Sequence, residues 1–285
     1  MATFTNQATL SYNNTVTNSN TVTGELLETL SATKTSSAST YSPGDTVPYI
    51  ISIVNAGAVP YTNLTVTDDL GAFTEGTTGT LLYPLTYTDG SLRYYQNGVL
   101  QPAPTVAPGP PLVISGVDVP ANGNVTLIYE GEVNTFAPLA QGSVIANEAV
   151  ISGTGLNAPL RAAEEITADN SANLTISKSV CPDTVVENGQ LSYTFVLQNT
   201  GSAEADAASN VSISDTFSPI LNPITVTLNG SPLPADAYTY DTATGEFRTT
   251  PGSITVPAAS YTRDPATGSV VTTPGVTVLR VTGTV

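Results

Sequence analysis

Two stretches of this chain repeat each other, and the two copies are not cut at the same point. Tyr49-Ile-Ile-Ser-Ile-Val-Asn55-Ala-Gly57 matches Tyr193-Thr-Phe-Val-Leu-Gln-Asn199-Thr-Gly201, and Asn63-Leu-Thr-Val-Thr-Asp68 matches Asn210-Val-Ser-Ile-Ser-Asp215. Upstream, Ala32-Thr-Lys34-Thr corresponds to Ile176-Ser-Lys178-Ser, each followed by a turn containing Gly44 or Gly189. Downstream, residues 123–133 align without a gap to 275–285. Self-similarity of this kind means tandem copies of one folding unit. Each matched segment alternates apolar and polar residues, or runs apolar, over a short span between turn signals, which is the pattern of a β-sandwich. β-Branched residues dominate the segments, Gly and Pro punctuate them, and no apolar pattern with helical spacing is sustained. The expectation is an all-β chain of two sandwiches, and 285 residues are enough for both.

The first copy continues past Val133 into Ala146-Asn147-Glu148-Ala149-Val150-Ile151-Ser152, a good final strand, whereas the second copy stops at Val285. A sandwich without that strand exposes an apolar groove and an unpaired edge. A matching piece lies at the other end: Thr5-Asn6-Gln7-Ala8-Thr9-Leu10-Ser11 has the residue types of 146–152 in the same order. Residues 12–29 then lead into the first copy much as 153–173 lead into the second. In cis, such a linker spans at most about 60 Å when extended, so the chain must double back. In trans, the strand enters the second domain of a neighbouring copy by strand addition, a heterologous contact that propagates into a fibre unless it closes into a ring. The plain alternative is a flexible N-terminal tail and a truncated second domain. The expected donor positions are Phe4, Asn6, Ala8 and Leu10, and the expected acceptor strand carries Val276, Val278, Leu279 and Val281. The expected divisions are 1–24 (donor strand and linker), 25–165 (first domain) and 166–285 (second domain).

Lys-Thr, a Pro-Gly-Asp or Glu-Asn-Gly turn, Tyr-x-Ile-x-Val-x-Asn-x-Gly and Asn-x-Thr-Val-x-Asp together resemble the bacterial conserved-repeat family known as domain of unknown function eleven. That family's final strand, Asn-x-Ala-x-Val, is similar to Asn147-Glu-Ala-Val-Ile and to Asn6-Gln-Ala-Thr-Leu. The resemblance covers both copies, though residues 71–122 and 218–274 diverge. It implies immunoglobulin-like domains in surface, cell-wall or appendage proteins, and no chemistry. Members occur in clostridial spore appendages, and a two-copy chain of this size looks like an appendage subunit.

Composition narrows the function classes. With no His and a single Cys, the chain offers no nucleophile–His pair and no His-containing metal cluster, so no enzyme activity, no cofactor and no metal site is expected. Carboxylates are plentiful, but nothing marks out a glycosidase pair, and Trp is absent. A formal charge of −16 argues against nucleic acid or an anionic membrane as partner and reads as surface solubility. No loop has the spacing of a calcium site. Cys181 is either a small buried hydrophobe or a thiol able to pair between chains. The N-terminus lacks a secretory signal and no run is long enough to span a bilayer, so the expectation is assembly in the producing cell, release, and an extracellular or spore-surface location. Asn55, Gly57, Asn199 and Gly201 are expected to shape strand-end turns by accepting positive φ, and Tyr49 and Tyr193 to anchor the cores.

One constellation points to chemistry. The only two lysines, Lys34 and Lys178, fall at the same point of their repeats, and Asn147 on the final strand has Asn6 as its counterpart. A buried neutral lysine can attack an asparagine amide polarised by a protonated carboxylic acid, releasing ammonia and leaving an isopeptide bond. Asp68 and Asp215 are the repeat-matched acids. Bonds Lys34–Asn147 within a chain and Lys178–Asn6 between chains would weld a fibre; alternatively, the lysines are solvated and the asparagines end turns. The sequence therefore points to two tandem immunoglobulin-like β-sandwiches, the second completed by the N-terminal strand of another subunit, in a head-to-tail homo-oligomer. The other reading is a surface adhesin whose divergent loops bind a ligand.

Overall fold

The structure is a computed structural model that describes residues 2–76 and 79–285; Met1, at the start of the expected donor segment, lies outside the described residues. The fold is all-β, two tandem immunoglobulin-like sandwiches preceded by an N-terminal hairpin.

In the first domain two six-stranded sheets enclose one core. One sheet orders Val99–Gln101, Arg93–Gln96, Gly123–Val133, Thr46–Asn55 and the lysine strand Leu30–Ser36, with Leu85–Tyr87 also pairing to Gly123–Val133. The other orders Thr105–Ala107, Leu112–Val119, the aspartate strand Tyr61–Asp68, the asparagine strand Val144–Ser152, the return strand Leu160–Ala168 and Thr40–Tyr41. Alternation along each strand sends every second side chain inward, so Tyr49, Ile51 and Ile53 from one sheet meet Leu64, Val66 and Ile151 from the other. Ile166 and Ala168 belong to this core, so the first domain ends after Ala168 rather than at residue 165.

The second domain repeats one sheet and only part of the other. Leu174–Cys181, Gln190–Asn199, Gly275–Thr284, Ile224–Leu228 and Ser231–Pro232 form five strands in that order. Opposite them lie three short strands, Ser214–Thr216, Glu246–Thr249 and Tyr238–Tyr240. Tyr193, Phe195, Phe217 and Phe247 fill a smaller core. Gly275–Thr284 sits in the middle of its sheet, hydrogen-bonded on one side to Gln190–Asn199 and on the other to Ile224–Leu228. The expected acceptor strand of Val276, Val278, Leu279 and Val281 is therefore wrong: both its edges are occupied, and Leu279 and Val281 are core residues. The repeat supplies the correction. The asparagine strand of the first domain pairs with the aspartate strand, whose counterpart in the second domain runs through residues 211–217. That segment bonds on one side to residues 245–252, and its other edge pairs with nothing among the described residues.

Asn55 and Asn199 do the same work in the two domains. Asn55 Nδ2 donates to the carbonyls of Val59 and Pro120 while Oδ1 accepts from Gly57 N, and Asn199 repeats this with Ala203, Pro257 and Gly201. None of the four residues has positive φ, contrary to expectation. The glycines serve close approach instead: a Cβ on Gly201 would lie 2.1 Å from the Ser171 carbonyl. The second domain also carries an insertion between Pro257 and Gly275, where the first has only Ala121 and Asn122 between Pro120 and Gly123. It forms a hairpin, Ser260–Arg263 with Val270–Thr273, that reaches the first domain. There Arg263 lies over the Phe73 ring at 4.9 Å and donates to the Phe136 carbonyl, and Val270 N donates to Thr135 O at 2.8 Å.

Residues 12–29, expected as a linker, are largely the second half of a hairpin. Ala2–Asn6 pairs with Val22–Leu26, and Thr9–Tyr12 with Thr15–Asn18, around a two-residue turn in which Asn13 and Asn14 both have positive φ. The hairpin has no core of its own: Phe4, Leu10, Tyr12, Val16 and Val22 are all exposed.

Candidate functional site

The two sheets of the first domain bring Lys34, Asp68 and Asn147 together in its interior. Each comes from a different strand, and each points inward because its neighbours two residues away, such as Val66 and Ala149, also do. Lys34 Nζ lies 2.6 Å from Asp68 Oδ2, with both side chains wholly screened from solvent. Tyr129, from the strand Gly123–Val133, donates its hydroxyl to the same carboxylate oxygen at 2.7 Å and accepts from Asn147 Nδ2 at 3.0 Å. One hydroxyl thus ties the acid to the amide. Tyr49 and Tyr129 stack at 5.5 Å between ring centroids, and Lys34 Nζ sits 5.0 Å from the Tyr49 centroid.

Burial pulls the Lys34 amine below its ordinary value, opposed chiefly by the Asp68 charge and hydrogen bond, then by the charges of Asp69 and Glu148. Burial raises the Tyr129 phenol well above its usual range, with the Asp68 charge adding to the effect, so it stays a neutral hydrogen-bonding group. Asn147 Oδ1 is buried with no hydrogen-bond partner among the described residues. Chemically, the cluster offers a nucleophile with a depressed pKa, an acid in contact with it, and an amide electrophile.

In the second domain the matched lysine and acid also meet: Lys178 and Asp215 form an ion pair. Lys178 Nζ lies over Tyr193, at 4.5 Å, and near Phe195 and Phe217. The surroundings differ. The Lys178 side chain is 41% exposed and that of Asp215 18%, against 0% for both members of the first pair. Asn6 does not reach this pair; it sits in the N-terminal hairpin opposite Val22. Val281 stands where the first domain has Tyr129, so no tyrosine hydroxyl comes from that strand. Tyr129 escaped the sequence reading for that reason, since comparing the repeats pairs it with an aliphatic residue. Cys181 is a free, exposed thiol.

The donor positions stand against a direct template. Phe4, Asn6, Ala8 and Leu10 correspond to Ile145, Asn147, Ala149 and Ile151, all of which are at most 1% exposed in the first domain, whereas Phe4 and Leu10 are 57% and 60% exposed.

No protein-family model and no curated protein matches the chain. Solved structures do match in fold. The chain is similar to BcpA, the major pilin subunit of Bacillus cereus, with 12% identity over 90% of this chain and 70% of that one, at a TM-score of 0.36. It is similar to the pilus backbone RrgB from Streptococcus pneumoniae, with 11% identity over 86% of this chain and a TM-score of 0.34, and spans 55% of that chain's length. A collagen-binding domain from a Staphylococcus aureus adhesin matches 49% of this chain at 12% identity and a TM-score of 0.29. Likeness at this level is one of β-sandwich architecture and does not bear on what the chain does. No helix among the described residues is long and apolar enough to cross a membrane.

Proposed function

We propose that the chain is a structural subunit that assembles head to tail into an extracellular fibre, of the spore-appendage kind suggested by its repeat resemblance, by placing its N-terminal strand in the second domain of the next copy. The observation that carries this reading is the pairing of an orphan strand with an orphan edge. Among the described residues, positions 4, 6, 8 and 10 are exposed and meet no core, while their counterparts 145, 147, 149 and 151 fill one. The edge at residues 211–217 lacks the partner that the equivalent aspartate strand has. Leaving an apolar strand face in water costs about 25 cal/mol per Å² and leaves an edge open to unplanned pairing, so a copy of the same strand entering that edge relieves both.

The same placement brings Asn6 to Lys178 and Asp215. In each domain the lysine Nζ attacks the asparagine Cγ, the bond from Cγ to Nδ2 breaks, and ammonia leaves. The protonated aspartic acid gives its proton to the amide as the bond to Nδ2 breaks and takes one back from the attacking amine, so the carboxyl is unchanged at the end. In the first domain this joins Lys34 to Asn147 inside one chain; at the subunit joint it joins Lys178 to the neighbour's Asn6. The chain itself supplies all the reacting groups, and no cofactor enters.

Electron microscopy of the purified chain, with and without residues 2–11, tests the reading. Filaments from the full chain and none from the deletion are expected. A full chain that stays monomeric at high concentration contradicts the fibre, and filaments from the deletion contradict strand donation.

A further inference from the structure

The N-terminal segment is a hairpin, and the first domain shows what both strands of such a hairpin do. There the asparagine strand enters the sheet beside the aspartate strand, and the return strand Leu160–Ala168 doubles back along it. The return strand packs alongside the lysine strand Leu30–Ser36 and ends in parallel pairing with Thr40–Tyr41. With that cover, Leu30 is 6% exposed and Lys34 is buried.

The second domain is bare along the corresponding path. Leu174, Ile176 and Val180, on the same face of their strand as Lys178, are exposed, Ile176 to 58%. Counting from the matched turn glycines Gly44 and Gly189, Val186 takes the place of Tyr41, and it too stands in solvent whereas Tyr41 is buried. One added strand at the 211–217 edge does not reach this second surface, because in the first domain the return strand is what covers it.

The hairpin is built to bring both strands at once. Phe4 is paired across the ladder with Gly24, where the first domain pairs Ile145 with Ile166, both buried. The Phe4 ring lies over Gly24 so closely that a Cβ there would sit 2.4 Å from Phe4 Cζ. The template fills this position with two medium side chains, and the hairpin fills it with one ring over a residue that has none.

Resting on the fibre reading above, we infer that the donated element is the whole hairpin: its first half takes the 211–217 edge, and its second half, Thr15–Asn18 and Val22–Leu26, seats over Leu174, Ile176 and Val180 of the neighbouring copy. The receptor is thus a two-walled groove, and its occupant is a second copy of this chain.

Thiol accessibility tests this in a Cys181→Ser background, where Leu10→Cys, Val22→Cys, Thr23→Cys or Ile176→Cys is doped into an excess of the cysteine-free chain. The excess chain carries assembly even where a probe weakens it. In fibres, maleimide labelling of Leu10→Cys, Val22→Cys and Ile176→Cys is expected to slow about tenfold or more, and that of the outward-facing Thr23→Cys to stay within about twofold of the unassembled chain. Fibres that protect Leu10→Cys but leave Val22→Cys and Ile176→Cys as reactive as before overturn the hairpin inference while preserving strand donation. Absence of fibres, or an unprotected Leu10→Cys within them, overturns both.

Discussion

Lys34 Nζ and Asp68 Oδ2 face each other at 2.6 Å in the interior of the first domain, and neither side chain touches solvent. A pair so placed is held by its own complementarity, since each charged group would be expensive to bury alone. Lys34→Ala is therefore expected to destabilise the first domain by about 3–5 kcal/mol beyond any loss of cross-linking. Chemical denaturation of Lys34→Ala and of Asn147→Ala separates the two effects, because the second variant removes the bond but keeps the ion pair. Equal stability for the two would contradict the account.

Intact mass decides whether the first-domain bond forms. The account predicts a chain lighter than its sequence by one ammonia, and Asn147→Ala or Asp68→Ala at full mass for its own sequence. Wild-type chain at full mass would exclude the intramolecular bond.

The depressed Lys34 pKa has a consequence for the Asn147→Ala variant, in which the amine stays free. Between its lowered folded value and the unfolded value of 10.5, the unfolded chain binds the extra proton. Stability then rises with pH through that window. Burial pushes the Tyr49 phenol upward from its ordinary 10.0, and Tyr129 likewise, so the unfolded chain loses those protons first and stability falls again above that point. Denaturant midpoints against pH should rise from neutrality to a maximum at about pH 10, where the unfolded tyrosines begin to ionise; a steady decline from neutrality would contradict the Lys34 assignment.

Tyr129 bridges acid and amide, so Tyr129→Phe leaves both with one hydrogen bond fewer. In the Asn147-containing chain this should cost about 1–3 kcal/mol. The proposed joint at Lys178 has no tyrosine at the matched position, so the first-domain bond is expected to form in this variant too. Mass spectrometry of the variant over time checks this, and complete loss of the bond would make Tyr129 essential instead.

Arg263 ties the inserted hairpin to the first domain through the Phe73 ring and the Phe136 carbonyl. Arg263→Ala is expected to remove about 1–3 kcal/mol of coupling between the domains, read in calorimetry as the separation of one thermal transition into two. An unchanged thermogram would show that the contact contributes nothing to the joint.

Much of this arrangement is legible in the sequence. The repeat placed Lys34, Asp68 and Asn147 on strands that had to face one core, because alternate positions of matched strands share a side. What escaped the sequence was the order of strands across the sheets. Val276 and Val278 lie on one face of their strand and Leu279 and Val281 on the other, and hydrogen bonding to both sides is invisible in a single strand's pattern. The hairpin was missed because its polar return strand has no core of its own to impose periodicity. The signal was there in Asn13-Asn14, two adjacent residues that tolerate positive φ. Gly24 in a strand, a weak position by propensity, makes sense only once Phe4 is seen lying over it.

The central claim is that a neighbour's Asn6 meets Lys178. Fibres assembled from an equal mixture of isotopically heavy and light chains and then digested should yield a peptide joining Lys178 to Asn6, with about half of its copies carrying one heavy and one light arm. Fibres in which Lys178 and Asn6 remain unjoined, or are joined only within a single isotope, would contradict it.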